Sequence, residues 1–200
     1  MVQYKPPNRE YEFILREVLN VEKELAGYEG YEEATWDMIE MISAQFGKMT
    51  EEYWLPSNRD GDVIGAKFEN GNVTVPPSMK KAIDILIESG LTALFGHQKY
   101  GGMEFPNVLS VFADEISCAT NMSLGIYLGL TKGAYNCIYS HGSEELKETY
   151  LPRFLTGEWV GTMCLTEAHS GTDLGLIRTS AKPVGDSYNL NGQKLSLIHI

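Results

Sequence analysis

Residues 156–175 read Thr156-Gly157-Glu158-Trp159-Val160-Gly161-Thr162-Met163-Cys164-Leu165-Thr166-Glu167-Ala168-His169-Ser170-Gly171-Thr172-Asp173-Leu174-Gly175. The period of the chain changes inside this stretch. Upstream, apolar residues recur at helical spacing. Gly157-Glu158 leads out of that region, and past Trp159 the pattern is that of strands. Residues 160–166 suit a strand, 167–175 a turn-rich loop, and 176–183 a second strand. Gly185-Asp186 marks one turn. Asn191-Gly192 marks another, because both residue types tolerate positive φ. The expected fold is therefore mainly α: an N-terminal helical bundle, then the start of an antiparallel β-barrel-like middle domain. The sequence stops within an expected strand. A lone terminal hairpin is marginally stable, so we read the chain as truncated.

Working upstream, Glu144 and Glu145 open a helix by placing negative charge at its positive end. Pro152 is expected to end it near Tyr150. His141-Gly142 stops the preceding helix. Residues 121–140 are apolar on nearly every face, which predicts a helix buried in mid-bundle. Gly125, Gly129 and Gly133 share one face of it, and each costs ~1 kcal/mol relative to alanine. Either another helix approaches there or a ligand lies along the smooth face. Asn107 is placed to cap a helix with Val108, Phe112, Ile116 and Ala119 inside. Residues 96–106 form a glycine-bearing loop. Ser78 is placed to cap a helix through Ser89, with Met79, Ala82, Ile83, Leu86 and Ile87 as its apolar stripe and Gly90 as its stop. Residues 57–76 read as an irregular connector. Helices are expected from Tyr31 to about Tyr53, ending before Pro56, and over 10–25, with Tyr11, Ile14, Leu15, Val18, Leu19 and Leu25 on one side. The expected divisions are an extension over 1–30, a helical domain over 31–158 and an incomplete β domain over 159–200.

Of 200 residues, 43 % are hydrophobic and 22 % charged, and the net charge is −11. That balance supports an ordinary core. It argues against nucleic acid and anionic lipid as partners. Cys118, Cys137 and Cys164 are widely spaced and odd in number, which fits neither a disulfide framework nor structural zinc. His97, His141, His169 and His199 lack ligand spacing. The sequence shows no secretory signal and no apolar run of membrane-spanning length. A reducing cytoplasm and no membrane insertion are expected.

Residues 163–175, with Tyr188-Asn189-Leu190-Asn191-Gly192-Gln193-Lys194, resemble the acyl-CoA dehydrogenase family, whose pattern is L-T-E-P-x-A-G-S-D followed by Y-x-(I/L)-N-G-x-K. Tyr100-Gly101-Gly102, His141-Gly142-Ser143-Glu144-Glu145, Tyr150-Leu151-Pro152 and Leu155-Thr156-Gly157-Glu158-Trp159 are similar to further motifs of the family, in the same order. Tyr4-Lys5-Pro6-Pro7 and Phe13-Ile14-Leu15-Arg16-Glu17-Val18-Leu19 resemble the 3-methylmercaptopropionyl-CoA dehydrogenase-like branch, as do Gly129-Leu130-Thr131 and Met163-Cys164-Leu165-Thr166-Glu167. Ala168 stands where proline is usual and Thr172 where serine is. Residues 195–200 lack the usual aromatic and hydroxyl pair, so either the branch differs there or those residues are not native.

The resemblance implies FAD as cofactor and oxidation of an acyl-CoA to the 2-enoyl-CoA. A carboxylate takes the Cα proton and a hydride leaves Cβ for flavin N5. It implies that Met163, Cys164, Leu165 and Thr166 lie against the isoalloxazine, and that Gly171 and Thr172 bond the pyrophosphate, with Thr172 also near the CoA arm. The base is implied in a C-terminal helical domain that this chain lacks, so the 200 residues alone are expected to be inactive. It also implies an electron-transferring flavoprotein as acceptor and a homo-oligomer when complete. An oxidase or monooxygenase of the same fold, or a non-catalytic helical interaction module, are the alternatives. Read without the resemblance, Thr-Glu and Ser-Gly-Thr-Asp are ordinary turn chemistry, with Asp173 able to form an Asx turn. Glu167 is expected to hold the loop rather than act as base, Cys164 to be a buried strand thiol, and Lys194 to be a surface charge on a strand.

Overall fold

The computed structural model describes residues 4–31 and 34–195. The chain divides into two compact units, Met1–Gly161 and Thr162–Ile200.

The first unit is helical. It comprises α1 (Asn8–Glu12), α2 (Val21–Leu25), α3 (Trp36–Met49), α4 (Leu55–Val63), α5 (Pro77–Glu88), α6 (Ser110–His141) and α7 (Glu144–Leu155), with a short hairpin of β1 (Lys67–Glu69) and β2 (Asn72–Thr74) between α4 and α5. The periodic stripe on α5 buries Ala82 and Leu86, and Gly90 ends the helix at φ +73° as expected. These side chains join Tyr11, Phe46, Trp54, Ile116 and Leu124 in the central cluster. Trp54 is fully buried, and its indole N–H donates to the Ala82 carbonyl at 3.1 Å. Its polar tip is thereby satisfied.

Several expected boundaries moved. The helix expected over 10–25 begins at Asn8, widens into π-type turns over Phe13–Val18, and breaks at Asn20 (φ 49°). The wide turns shift the helical register. Tyr11, Leu15, Val21 and Leu25 are buried, whereas Ile14, Val18 and Leu19 face solvent. A helix starts at Trp36, with the Thr35 hydroxyl accepting from the Met38 N–H, and helical backbone continues past Pro56 to Val63. A π-type turn over Thr50–Trp54 precedes the proline and has already displaced the hydrogen-bond ladder, so the missing N–H falls where a new helix begins. Ser78 caps nothing; its hydroxyl donates to Asp60 Oδ2 at 2.6 Å. Asn107 is not a side-chain cap either, and a 3₁₀ turn over Asn107–Leu109 leads into α6. The connector expected over 57–76 holds the hairpin, whose turn residues Asn70 (φ 52°) and Gly71 (φ 79°) are both left-handed.

Pro152 does not end its helix at Tyr150; α7 runs to Leu155. An interior proline costs ~3 kcal/mol. Leu151, Phe154 and Leu155 are all buried. Fully burying each contributes ~1.5–3 kcal/mol, which outweighs the lost bond. The two helices expected around 107–140 are one 32-residue element kinked at Asn121 (φ −155°). Residues 121–140 are not buried on every face: Met122, Ile126, Tyr127 and Tyr139 are exposed.

In the second unit β3 (Ser180–Val184) pairs with β4 (Ser187–Asn191), antiparallel, around the Gly185-Asp186 turn. This is the expected opening of an antiparallel β region. Residues 160–166 lie outside any strand, and the second strand starts at Ser180 rather than 176. Asp173 Oδ1 accepts from the Gly175 N–H, nucleating a 3₁₀ turn over Leu174–Leu176 that delays the strand. Asn191-Gly192 is not a hairpin turn. Asn191 pairs with Ser180, and Gly192 has no positive φ. Glycine is needed there for space: a Cβ at 192 would stand 2.1 Å from Thr179 Oγ1 and 2.7 Å from Thr179 Cα. The expected departure over 195–200 falls, beyond Leu195, outside the described residues.

Candidate functional site

The loop from Met163 to Gly175 is organised from the inside by one carboxylate. Glu167 is 3 % exposed. Its Oε2 accepts the Arg178 N–H at 2.9 Å, and its Oε1 accepts the Thr179 N–H at 3.0 Å and the Lys194 ammonium at 2.9 Å. Its own backbone exchanges two bonds with Ser170, at 2.8 and 3.1 Å, closing residues 167–170 into a tight turn. The Ser170 hydroxyl donates to the Asp173 carbonyl. His169 Nε2 lies 3.0 Å from the Leu176 carbonyl and 3.5 Å from Glu167 Oε2.

The carboxyl of Glu167 is therefore held far below the usual carboxylate range. The Thr179 hydroxyl has the largest influence, then the Arg178 N–H and the Lys194 ammonium, together outweighing burial. The hydroxyl faces the carboxylate without completing a hydrogen bond. The backbone and lysine donors do complete theirs. A carboxylate that collects such donors stays ionised and rigid. It is a poor proton acceptor, and Glu167 holds the loop as expected. Lys194 is not a free surface charge: it ties Glu167 to the Leu165 carbonyl, at 3.0 Å.

The outer side of the same loop is open. Met163, Cys164, Leu165, Thr166, Gly171 and Thr172 are all exposed, so Cys164 is not a buried strand thiol. Nothing lies within 4 Å of a Cβ built on Gly171. Among the described residues, the backbone N–H groups of Leu165, Thr166, Gly171 and Thr172 donate to no protein acceptor. The Thr166 carbonyl does have a partner, the Leu195 N–H at 2.8 Å. The structure thus brings the sequence-singled residues onto one loop, with apolar side chains at Met163 and Leu165 and free donors at 166, 171 and 172. What the sequence reading missed is the pair behind them, Lys194 with Thr179. The signal is Glu167 itself: a carboxylate that becomes buried needs a cation or several donors.

The helical unit has its own concavity, about 140 Å³, between α5, α6 and the residues after α7. Leu86, Phe95, Leu128, Tyr135 and Phe154 line it, and Gly129 reaches its wall. No helix closes on Gly129 or Gly133, where nothing lies within 4 Å of an added Cβ, whereas one at Gly125 would meet Cys118 Sγ at 2.9 Å. Tyr100-Gly101-Gly102 is a packing device: Gly101 has φ +93°, and a Cβ on Gly102 would stand 2.0 Å from the Gly96 carbonyl oxygen. Beside it Glu144, between Lys99 and Lys147 at 2.7 and 2.9 Å, has its carboxyl lowered from 4.5 to about 2. Among the described residues no cluster of three or more His, Cys, Asp or Glu has the geometry to hold a metal, and no helix is long and apolar enough to cross a membrane.

Residues 39–158 match the family model for the acyl-CoA dehydrogenase N-terminal domain. The chain is 34 % identical over 193 residues to a 3-methylmercaptopropionyl-CoA dehydrogenase of Ruegeria pomeroyi, an alignment covering 96 % of this chain and 33 % of that protein. It is 32 % identical to a butyryl-CoA dehydrogenase of Syntrophomonas wolfei, over 93 % of this chain and 31 % of the relative. The chain thus spans about a third of the length of these curated relatives. Among solved structures it superposes on an acyl-CoA dehydrogenase from Geobacillus kaustophilus with TM-score 0.64 and 31 % identity, covering 80 % of this chain and 39 % of that one. Butyryl-CoA dehydrogenase from Megasphaera elsdenii gives TM-score 0.66 at 26 % identity, over 80 % and 40 % of the two chains. The helical order, the motif order and these matches agree, and the chain belongs to the acyl-CoA dehydrogenase family.

Proposed function

We propose that this chain supplies the helical domain and the flavin-facing loop of an FAD-dependent enzyme that oxidises an acyl-CoA thioester to its 2-enoyl-CoA. The observation that carries the reading is the two-sided loop: a buried, fully bonded carboxylate inside, and unpaired backbone donors with exposed apolar side chains outside. That donor set fits a flat aromatic ring carrying a polar edge and a diphosphate. When bound, FAD would supply the two-electron acceptor for the hydride leaving Cβ. A carboxylate base outside these 200 residues takes the Cα proton.

In this assignment Met163 and Leu165 pack on the ring with the Cys164 backbone between them. Thr166 presents a hydroxyl and an N–H to the edge where charge collects. Fixed donors there stabilise that charge without reorganising. Gly171 and Thr172 hold the pyrophosphate through backbone N–H groups, Gly171 because its missing side chain lets phosphate approach. Thr172 also meets the CoA arm. An electron-transferring flavoprotein is the proposed acceptor, the complete protein a homo-oligomer, and the cytoplasm its location. With the Cα base assigned by the resemblance outside residues 1–200, we expect no turnover from them.

The full-length protein should purify yellow and reduce ferrocenium in the presence of an acyl-CoA. A colourless, inactive protein defeats the reading. Peroxide release in place of ferrocenium reduction reassigns it to an oxidase. Acyl-CoA oxidation by residues 1–200 alone overturns the placement of the base elsewhere.

A further inference from the structure

The ammonium of Lys194 makes two bonds, one to Glu167 Oε1 at 2.9 Å and one to the Leu165 carbonyl at 3.0 Å. The second has a consequence one atom group further on. The Leu165 carbonyl and the Thr166 N–H belong to the same peptide unit. A cation on the oxygen draws electron density through the amide and makes its N–H a stronger donor, since hydrogen bonds in series polarise one another. The next peptide is also fixed, because the Thr166 carbonyl accepts the Leu195 N–H at 2.8 Å. The Thr166 N–H is thus aimed from both sides, polarised from behind, and without a protein acceptor of its own.

We propose that Lys194 is a positioning residue that acts through the Leu165–Thr166 peptide. Held by the buried Glu167 carboxylate, it strengthens the Thr166 N–H as a donor to the anionic edge of the reduced cofactor. The inference rests on the flavin reading of the loop and adds to it the role of a residue that never touches the ring. Glu167 then has two tasks: it shapes the loop, and it keeps the cation on the carbonyl.

The test is made on the full-length enzyme with Lys194→Met, Lys194→Gln and Lys194→Arg. The measurements are FAD affinity, the two-electron reduction potential of the bound flavin, and kcat and KM for an acyl-CoA. Methionine keeps the volume of the stem and removes the charge. We expect Lys194→Met to weaken binding of the reduced relative to the oxidised cofactor about tenfold, a fall of ~30 mV for a two-electron couple. kcat should fall while KM stays within about twofold, because the effect lies on charge development rather than on substrate binding. Lys194→Gln retains a donor but no charge and should show the same direction. It also serves where the methionine variant does not fold. Lys194→Arg should restore most of the potential. An unmoved potential in both uncharged variants, with a yellow active wild type, overturns this inference and leaves the flavin reading standing. An equal fall in Lys194→Arg shows a packing role only and overturns it too. A wild type that binds no flavin overturns both.

Discussion

The two units of this chain are held together by different forces. The helical unit buries large apolar side chains: Ile39, Trp54, Ile116 and Leu151 are each at most 2 % exposed. Between Thr162 and Leu195 the only buried residues are Glu167 and Ser170, and every residue of β4 is exposed. One segment is therefore stabilised by removing area from water. The other is stabilised by a single desolvated charge that gathers two adjacent backbone N–H groups, of Arg178 and Thr179, and the Lys194 ammonium. Apolar burial is tolerant of exact geometry, whereas a buried carboxylate is not, because losing one partner leaves the rest unpaired. In the proposed function the helical unit is scaffold, and the charge-organised loop places the donors.

Five perturbations would break or sharpen this contrast. Trp54→Ala should have the largest effect, destabilising the helical unit by ~3–5 kcal/mol and leaving the Ala82 carbonyl short of its donor. Urea unfolding followed by helical circular dichroism reads it directly. If the loss is under about 1 kcal/mol, apolar burial is not what holds that unit. Gly192→Ala comes next. The added methyl would overlap Thr179, and overpacking of this kind costs ~1–3 kcal/mol. It should raise amide exchange in β3 and β4 and leave α5 and α6 unaffected.

Glu167→Gln should free the Lys194 ammonium and weaken the Arg178 and Thr179 amide bonds, so that hydrogen exchange at those two amides accelerates about tenfold or more. Central helical amides should not respond. The corresponding pH behaviour has a definite sign. The folded carboxyl of Glu167 lies below its ordinary value of 4.5. Its contribution is therefore complete above about pH 4.5 and declines as acid protonates it. Glu144, lowered to about 2, follows the same direction between about pH 4.5 and 2. It is exposed, so solvent screening makes its share small. Acid titration monitored by exchange should loosen residues 165–179 before the Trp54 cluster. Simultaneous loss would mean that the two units are not separately stabilised.

Tyr11→Phe should have the smallest effect. The Tyr11 hydroxyl is buried beside Tyr4 and Glu115 without completing a hydrogen bond, so removing it should be neutral or stabilising by up to ~1 kcal/mol. Thermal unfolding checks it. A clear loss would show that the hydroxyl is paired in solution.

Asn-Gly occurs twice, and the two copies show what local signals can carry. At Asn70-Gly71 the pair makes the left-handed turn such residues permit, although the surrounding polar stretch reads as connector. At Asn191-Gly192 no turn forms, and the glycine is there because Thr179 occupies the space of a side chain. The same dipeptide answers a conformational demand in one place and a steric demand in the other. Helix ends behaved alike. Gly90 and Gly142 stop helices through backbone conformation that a local reading captures. At Pro56 and Pro152 a preceding wide turn and a buried cluster override the local penalty.

The sequence by itself determined the end of the helical region before residue 160, the stripe on α5, the stops at Gly90 and Gly142, and the residues of the Thr166–Thr172 loop. Each is written in spacing or turn chemistry over a few neighbours, where local sterics dominate. Only the tertiary structure decided that Glu167 is clamped by Lys194 from 27 positions away. It also decided that Gly192 is a contact rather than a bend, and that among the described residues the Thr166, Gly171 and Thr172 N–H groups meet no protein acceptor. Those outcomes depend on which distant groups meet around a buried charge, and periodicity contains no information about that meeting.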